Sequence, residues 1–378
     1  VADAIPDLQV LATINTRNRA QARLVKISRD PKNYSIKLFS LKDSIPLSQS
    51  MPVFESMGLE VLIGRPYRIR LGNRNYWINH FTLERGDNIC AVDPENIPLF
   101  FSELFESIWR RRNENDAFNH LLFSACIKAD NIQILRAYTA YLQQIRFPHS
   151  REYIIETLNT YPEITLMLVQ GFLAKFDPDS GQDSKNQTSH LDIFEQVRRR
   201  SHTIESLDHD LIYKQLLNLI ESTVRTNYFQ PDRIESGHIS FKLDSGLISD
   251  LPKPSPLCEI YVYAARFEGI HLRGGRVARG GIRWSTRRED YRTEVLGLMK
   301  AQIVKNTVII PTGAKGGFFP KQAPAGDRKA IFDNGVHCYK TFIRGLLDLT
   351  DNVVDDRVVT PEGIVRRDGD DPYLVVAA

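Results

Sequence analysis

Apolar residues change their spacing twice along this chain, and each change marks a different kind of structure. Up to about Pro98, "ARLVKIS", "YSIKLFS", "YRIRL" and "NYWINHFTLE" place apolar side chains at every second position, the pattern of half-buried strands. Between the second and third of these runs, Leu47, Met51 and Phe54 recur at helical spacing, and Gly58 stands where a helix takes a left-handed residue just past its end. Residues 1–98 are therefore expected to form a small α+β sheet module with one or two helices on one face.

From Leu99 to about Tyr228 the period lengthens to that of a helix. Phe101, Leu104, Phe105 and Ile108 share one stripe, and Ile134, Leu135, Tyr138, Tyr141, Leu142 and Ile145 another. Ser150 is placed to cap "REYIIETL", and Pro162 opens "PEITLMLVQGFLAKF" where a first-turn proline is tolerated. Residues 177–190 are polar and rich in breakers, which predicts a mobile loop between helices. Nothing in this all-α segment, 99–228, demands chemistry; its aromatic stripes read as core.

Residues 229–378 alternate strands with helices. "ISFKL" and "CEIYVYAARFEGIHLRGG" read as strands, followed by a helix in "STRREDYRTEVLGLMKAQIVKN" with Thr286 and Glu289 at capping-box spacing and Val295, Leu298, Met299 and Ile303 on one side. "TVIIP" predicts a short buried strand, "GAKGG" a glycine turn after it, and "DRKAIFDNGVHCYKTFIRGLLDL" a second helix with Ile331, Cys338, Phe342, Leu346 and Leu349 aligned. "YLVVAA" closes the chain as a strand. The expected fold class is multidomain α/β, with site residues at strand ends in the last part.

Composition narrows the function classes. With 42% hydrophobic and 25% charged residues the chain has the balance of an ordinary soluble protein, and a formal net charge of +3 argues against a dedicated nucleic-acid binder. Cys90, Cys126, Cys258 and Cys338 are far apart, with no metal-ligand spacing to a histidine, so they read as reduced thiols and no metal is expected. No apolar run is long enough to span a bilayer and no signal segment opens the chain, which makes the cytoplasm the default location and excludes a membrane partner.

Candidate chemistry concentrates between Arg273 and Lys321. Arg273, Arg276, Arg279, Arg283, Arg287, Arg288 and Arg292 are interleaved with Gly274, Gly275, Gly280 and Gly281. Forked guanidinium donors beside exposed backbone N–H groups would suit a carboxylate or phosphate; surface pairing with Glu289, Asp290 and Glu294 is the plainer reading. Neither the G-x-G-x-x-G nor the G-x-x-x-x-G-K-[ST] phosphate motif occurs. "IIPTGAKGGFFPK" sets Lys315 among Gly313, Gly316 and Gly317, either as an incidental surface lysine in a hairpin turn, the plainer reading, or as an amine that must face a substrate with backbone close by. His271 and His337 read as core or surface histidines, and Lys300 and Lys321 as solvated lysines.

The order "RGGIRW", a helix ending at Lys305, then "GAKGG" resembles the substrate-domain signature of glutamate dehydrogenases. The longer text "RGGRVARGGIRWSTRREDYRTEVLGLMKAQIVKNTVIIPTGAKGGFFPK" is similar to the large-subunit, NAD-specific glutamate dehydrogenases of bacteria. More loosely, "KLFSLKDSIPLSQSMPVFESMGLEVL" resembles their last ACT-like regulatory module and "DAFNHLLFSACIKADNIQILRAYTAYLQQI" the helical segment after it.

The resemblance implies oxidation of L-glutamate to 2-oxoglutarate and ammonia with NAD, by a homo-oligomer. It puts Lys315 at the catalytic lysine, which activates the water that exchanges with the imino carbon, and Lys305 at the lysine that holds the substrate α-carboxylate. An amine can act this way only if desolvation or neighbouring cations favour its neutral form. Arg279, followed by Gly280 and Gly281, stands where smaller members carry a carboxylate-binding lysine, and the step from Lys305 to Lys315 is slightly shorter than theirs. In the family the strand matching "YLVVAA" runs into an aspartate that shares the proton transfers, and the nucleotide-binding domain follows. The 378 residues are accordingly expected to be an inactive fragment, with NAD bound mainly elsewhere. Two rival readings are an amino-acid-binding regulatory or oligomerisation module centred on the helix with Leu47 and Met51, and, more weakly, a polyanion binder using the Arg-Gly segment.

Overall fold

The computed structural model describes residues 4–14, 20–26, 33–85, 96–181, 189–253, 255–305, 312–322 and 327–376. It is a multidomain α/β protein, and its contacts divide it into two compact units, 1–133 with 155–166, and 134–154 with 167–378.

In the first unit the alternating segments become β1 (Ala20–Lys26), β2 (Asn33–Leu41), β3 (Leu59–Leu71) and β4 (Arg74–Arg85), an antiparallel sheet in the order β1-β2-β4-β3. Period-two alternation splits its side chains cleanly. Phe39 and Ile78, directly paired, face α1 (Ala4–Thr13) through Leu11. On the opposite face Phe81 meets Phe54 of α2 (Leu47–Ser56) edge to face at 5.2 Å, and Phe54 in turn stacks on Phe105 of α3 (Ile97–Trp109). Gly58 follows α2 at φ +73°, the left-handed stop its position predicts. Leu47, expected on the apolar stripe, is instead 57% exposed, because the helix begins there and only later turns reach the sheet.

Four helical segments come next: α4 (Leu121–Ser124), α5 (Ala129–Gln144), α6 (Arg151–Thr160) and α7 (Pro162–Phe176). Ser150 accepts from the Tyr153 N–H at 3.2 Å, so the cap read from sequence is formed. Of the 177–190 loop, Pro178–Gly181 form a 3-10 turn and Ser189 caps α8 (His190–Ser201); residues 182–188 lie outside the described residues. After α9 (Leu207–Ser222) the chain enters the second sheet through β5 (Thr223–Thr226), the short α10 (Arg233–Ser236), β6 (His238–Asp244), β7 (Cys258–Ala264), β8 (Phe267–Arg273), β9 (Ala278–Gly280) and β10 (Ile282–Trp284).

The last elements are α11 (Tyr291–Lys305), β11 (Thr312–Pro320), α12 (Arg328–Leu347), the hairpin β12 (Asn352–Val354) and β13 (Arg357–Val359), and β14 (Val375–Val376). The sheet runs β14-β9-β11-β8-β7-β6-β5, with β10 also on β11. β11 is antiparallel to β8 but parallel to β9 and β10, so β10–α11–β11 is a parallel crossover. α12 buries Cys338, Phe342 and Leu346 against Ile260, Val262 and Phe318 on one face of the sheet. Ile331, expected on that stripe, is 41% exposed in the first turn of α12. The other face receives α11 and aromatic residues of α5 and α7: Tyr138 stacks on Phe241 at 4.3 Å, and Phe172 meets the same ring edge-on. On α11, Leu296 rather than Leu298 joins Val295 and Met299 in the core. The expected "TVIIP" strand lies outside the described residues.

Candidate active site

Lys315 lies at the middle of a sheet. The "GAKGG" segment, expected as a turn, is instead part of the nine-residue strand β11, and none of Gly313, Gly316 and Gly317 is among the glycines with positive φ. The glycines serve approach. Alternation puts Gly313, Lys315 and Gly317 on the α11 face. A Cβ on Gly313 would press on the Gln302 side chain at 3.2 Å and one on Gly317 would collide with Val295, so the missing side chains on either side of Lys315 let α11 lie flat on the strand. Lys315 itself is half-buried and sits opposite Leu272, which sits opposite Glu259.

The Arg279–Gly280–Gly281 segment comes to the same place. β9 pairs with the start of β11 (Gly313 opposite Arg279), β10 with its second half, and Gly281 bridges the break by accepting the Gly316 N–H at 3.1 Å. At Gly280 a Cβ would overlap the Ala314 carbonyl oxygen, which makes glycine obligatory there. Gln302, near the end of α11, donates to the Arg279 carbonyl at 2.9 Å. Lys305 ends that helix one turn later, where the negative pole of the helix favours a cation; its side chain lies outside the described residues. Arg279 is exposed, and β14 pairs beside it, Val375 with Arg279 and Val376 with Gly280. The expected closing strand is thus reduced to two described residues at the sheet edge.

The arginine run does not form one anion site. Arg283 pairs with Glu294 at 2.7 Å, Arg287 donates to Asp290 at 2.8 Å, and Arg288 approaches Glu289 at 3.9 Å, which is the surface pairing weighed above. Arg273 and Arg292 are buried. Arg273 binds Asp371 at 2.6 Å in a network that also joins Lys242 to Asp371 (2.7 Å) and Asp368 (2.5 Å), and Arg225 to Asp368 (2.6 Å) and, with both terminal nitrogens, to Asp351. Burial would raise the Asp371 carboxyl, but Arg273 and Lys242 outweigh it and hold it below the usual range. This network ties down the segment that leads into β14, and it borders a cavity of about 170 Å³ whose walls include Cys258 and Arg276.

On the α11 face, Glu259 is fully buried and receives Arg292 in a two-pronged pair, with Nε at 2.9 Å, and the Tyr141 hydroxyl at 2.9 Å. Burial works against the Arg292 charge, yet Glu259 overrides it and raises its pKa; burial and then Glu259 drive the Tyr141 phenol far up. Periodicity misses these residues, although an acid inside the apolar strand "CEIYVYA" is a visible signal that a buried cation must meet it. His271, in register with Gly316, is a core histidine as expected, but not a satisfied one: both ring nitrogens are buried and unpartnered, and burial, then Arg273, pull its pKa down to about 4. Lys321 is not solvated: it lies over the Tyr263 ring at 3.8 Å and 3.6 Å from Glu268. The Thr286/Glu289 capping box is not formed, since α11 starts at Tyr291 and Ser285 takes the Arg287 N–H at 3.0 Å and donates to Glu294. Cys258 and Cys338 are free and buried as expected, whereas Cys126 is disulfide-bonded.

Among the described residues no group of three or more His, Cys, Asp or Glu is placed to hold a metal. At the start of α11, the helix of the parallel crossover, the Arg292 N–H that a pyrophosphate would need is already taken by Gln144 at 3.2 Å. No helix among the described residues is long and apolar enough to cross a membrane.

A parallel crossover presenting a half-buried lysine between helix-contacting glycines defines an α/β domain, and comparison with known proteins says of which kind. Residues 196–378 match the family model described as the catalytic domain of bacterial NAD-glutamate dehydrogenase, residues 113–178 its helical motif 3, and residues 21–97 the glutamate dehydrogenase ACT3 domain. The chain is 43% identical to the NAD-specific glutamate dehydrogenase of Halomonas elongata over 99% of its own length and 23% of that protein's. It is 40% identical to that of Pseudomonas aeruginosa over 99% and 24%, and 41% identical to that of Mycobacterium tuberculosis over 100% and 24%. This chain belongs to the bacterial NAD-specific glutamate dehydrogenase family. It spans about a quarter of the length of these relatives.

Proposed function

We propose that the protein to which these residues belong oxidises L-glutamate to 2-oxoglutarate and ammonia with NAD, and that residues 229–378 supply the lysines of its substrate site. The observation that carries this reading is the convergence of Arg279–Gly280–Gly281, of Lys315 between Gly313 and Gly317, and of the helix end bearing Lys305. In this reading Lys315 takes the proton of the water that adds to the imino carbon, and returns it as ammonia leaves. Lys305 and Arg279 hold the substrate carboxylates, and the Gly280 and Gly281 backbone gives them room. In this reading NAD is held mainly by residues outside this chain. The division we adopt is an ACT-like module at 1–98, a helical segment at 99–228 and the first part of the catalytic domain at 229–378, in a cytoplasmic homo-oligomer.

The test is Lys315→Ala in the full-length enzyme. We expect turnover to fall by about 10²- to 10⁴-fold, the usual yield of a positioned acid–base group, with the KM for glutamate nearly unchanged; Lys305→Ala should instead raise that KM. Undiminished turnover in Lys315→Ala would sink the reading. A second reading, an amino-acid effector site in the first unit, draws on a cavity of about 490 Å³ between α1 and the sheet, where Asp7 and Lys37 (2.6 Å apart) offer opposite charges. That cavity is on the side of the sheet away from Leu47 and Met51, and Lys37→Ala should abolish effector binding there.

A further inference from the structure

The C-terminal half of α5 does something to α11 that the sequence does not announce. The first N–H groups of a helix lack intrahelical partners and are normally met by a capping side chain from the preceding loop. At α11 the partner comes from another helix: the Gln144 amide donates to the Arg288 carbonyl at 2.9 Å and accepts from the Arg292 N–H at 3.2 Å. One turn back on α5, the Tyr141 hydroxyl joins Arg292 on Glu259. Tyr141, Gln144, Glu259 and Arg292 are all buried, so this anchor is shielded from water and holds α11 both at its backbone and through its second residue.

From Arg292 to Lys305 is thirteen residues of continuous helix, about 20 Å at 1.5 Å per residue, a rigid arm from the anchor to the substrate lysine. Its second turn, at Val295, and its end, at Gln302 and Ile303, pass over Gly317 and Gly313, which lie on both sides of Lys315. Val295, Leu296 and Met299 seat the arm in the core and Gln302 ties its far end to the Arg279 carbonyl, while the Gln144 anchor sets the position of its first turn. Building on the substrate-site reading above, we infer that Tyr141 and Gln144 are positioning residues for catalysis: they fix the axial position of α11 and hence where Lys305 stands relative to Lys315. The helical segment thereby contributes to the active site without touching substrate.

The test compares Tyr141→Phe and Gln144→Leu with Tyr138→Phe in the full-length enzyme. Tyr138 lies on the same helix and is equally buried, but its hydroxyl bonds to Thr223 at 2.7 Å and not to the Glu259–Arg292 pair. We expect kcat/KM for glutamate to fall about tenfold in the first two, mostly through KM, while Tyr138→Phe loses thermal stability without a change in KM. Amide hydrogen exchange in residues 300–305 should quicken in Gln144→Leu and not in Tyr138→Phe. Three variants with equal KM and equal exchange would overturn the proposal. Wild-type enzyme without glutamate-dependent NAD reduction would defeat the substrate-site reading instead, and exchange would still decide whether Gln144 pins the arm.

Discussion

At the scale of single residues, the decisive feature is what certain positions lack. Gly317→Ala would drive a methyl group into the buried Val295 side chain, and because Val295 belongs to α11 the helix must yield. We expect a stability loss of about 1 to 3 kcal/mol, as for other overpacked cores, and a larger proportional loss of kcat/KM, both measurable by thermal unfolding and steady-state kinetics on the full-length enzyme. Gly280→Ala should be worse, since its obstacle is the Ala314 backbone rather than a side chain; a well-folded, active Gly280→Ala protein would contradict the described strand geometry. That these glycines matter near Lys315 was legible in the sequence. Their purpose was not, because a glycine in a turn and a glycine under a helix look the same until φ and the neighbours are known.

At the scale of elements, ion pairs hold the segment before β14 in place. The Asp371 carboxyl is held below its usual range in the fold, so its stabilisation is fully present above the ordinary aspartate pKa of about 3.9 and is lost as pH falls through the lower folded value. Asp371→Asn would leave Lys242 and Arg273 undercompensated, a loss on the order of 3 kcal/mol near neutrality. Denaturation of both proteins between pH 3 and 7 should show that difference shrinking below about pH 4; a gap that widens with acid would contradict the pairing. Most elements of the second unit were legible from hydrophobic period, α12 and the β7–β8 hairpin clearly so. The start of α11 was missed because its cap comes from Gln144, more than a hundred residues away, and no local motif encodes that.

At the scale of the whole molecule, these 378 residues alone are expected not to turn over glutamate. Mixed with L-glutamate and NAD, they should give no increase in reduced nicotinamide above background, whereas calorimetry should detect 2-oxoglutarate binding that Lys305→Ala abolishes. Turnover removed by Lys315→Ala would show that the chain carries more of the enzyme than proposed. The sequence by itself determined the alternation of strands and helices and the family, because period and motif are local properties written in neighbouring residues. Only the tertiary structure decided that "GAKGG" is a central strand, that apolar Leu47, Leu298 and Ile331 stand outside the core, and that charged Glu259, Arg292, Arg225 and Asp351 stand inside it. The physical reason is that burying a charge is tolerable only opposite its partner, and those partners, Glu259 with Arg292 and Arg225 with Asp351, meet only when distant strands and helices are packed together.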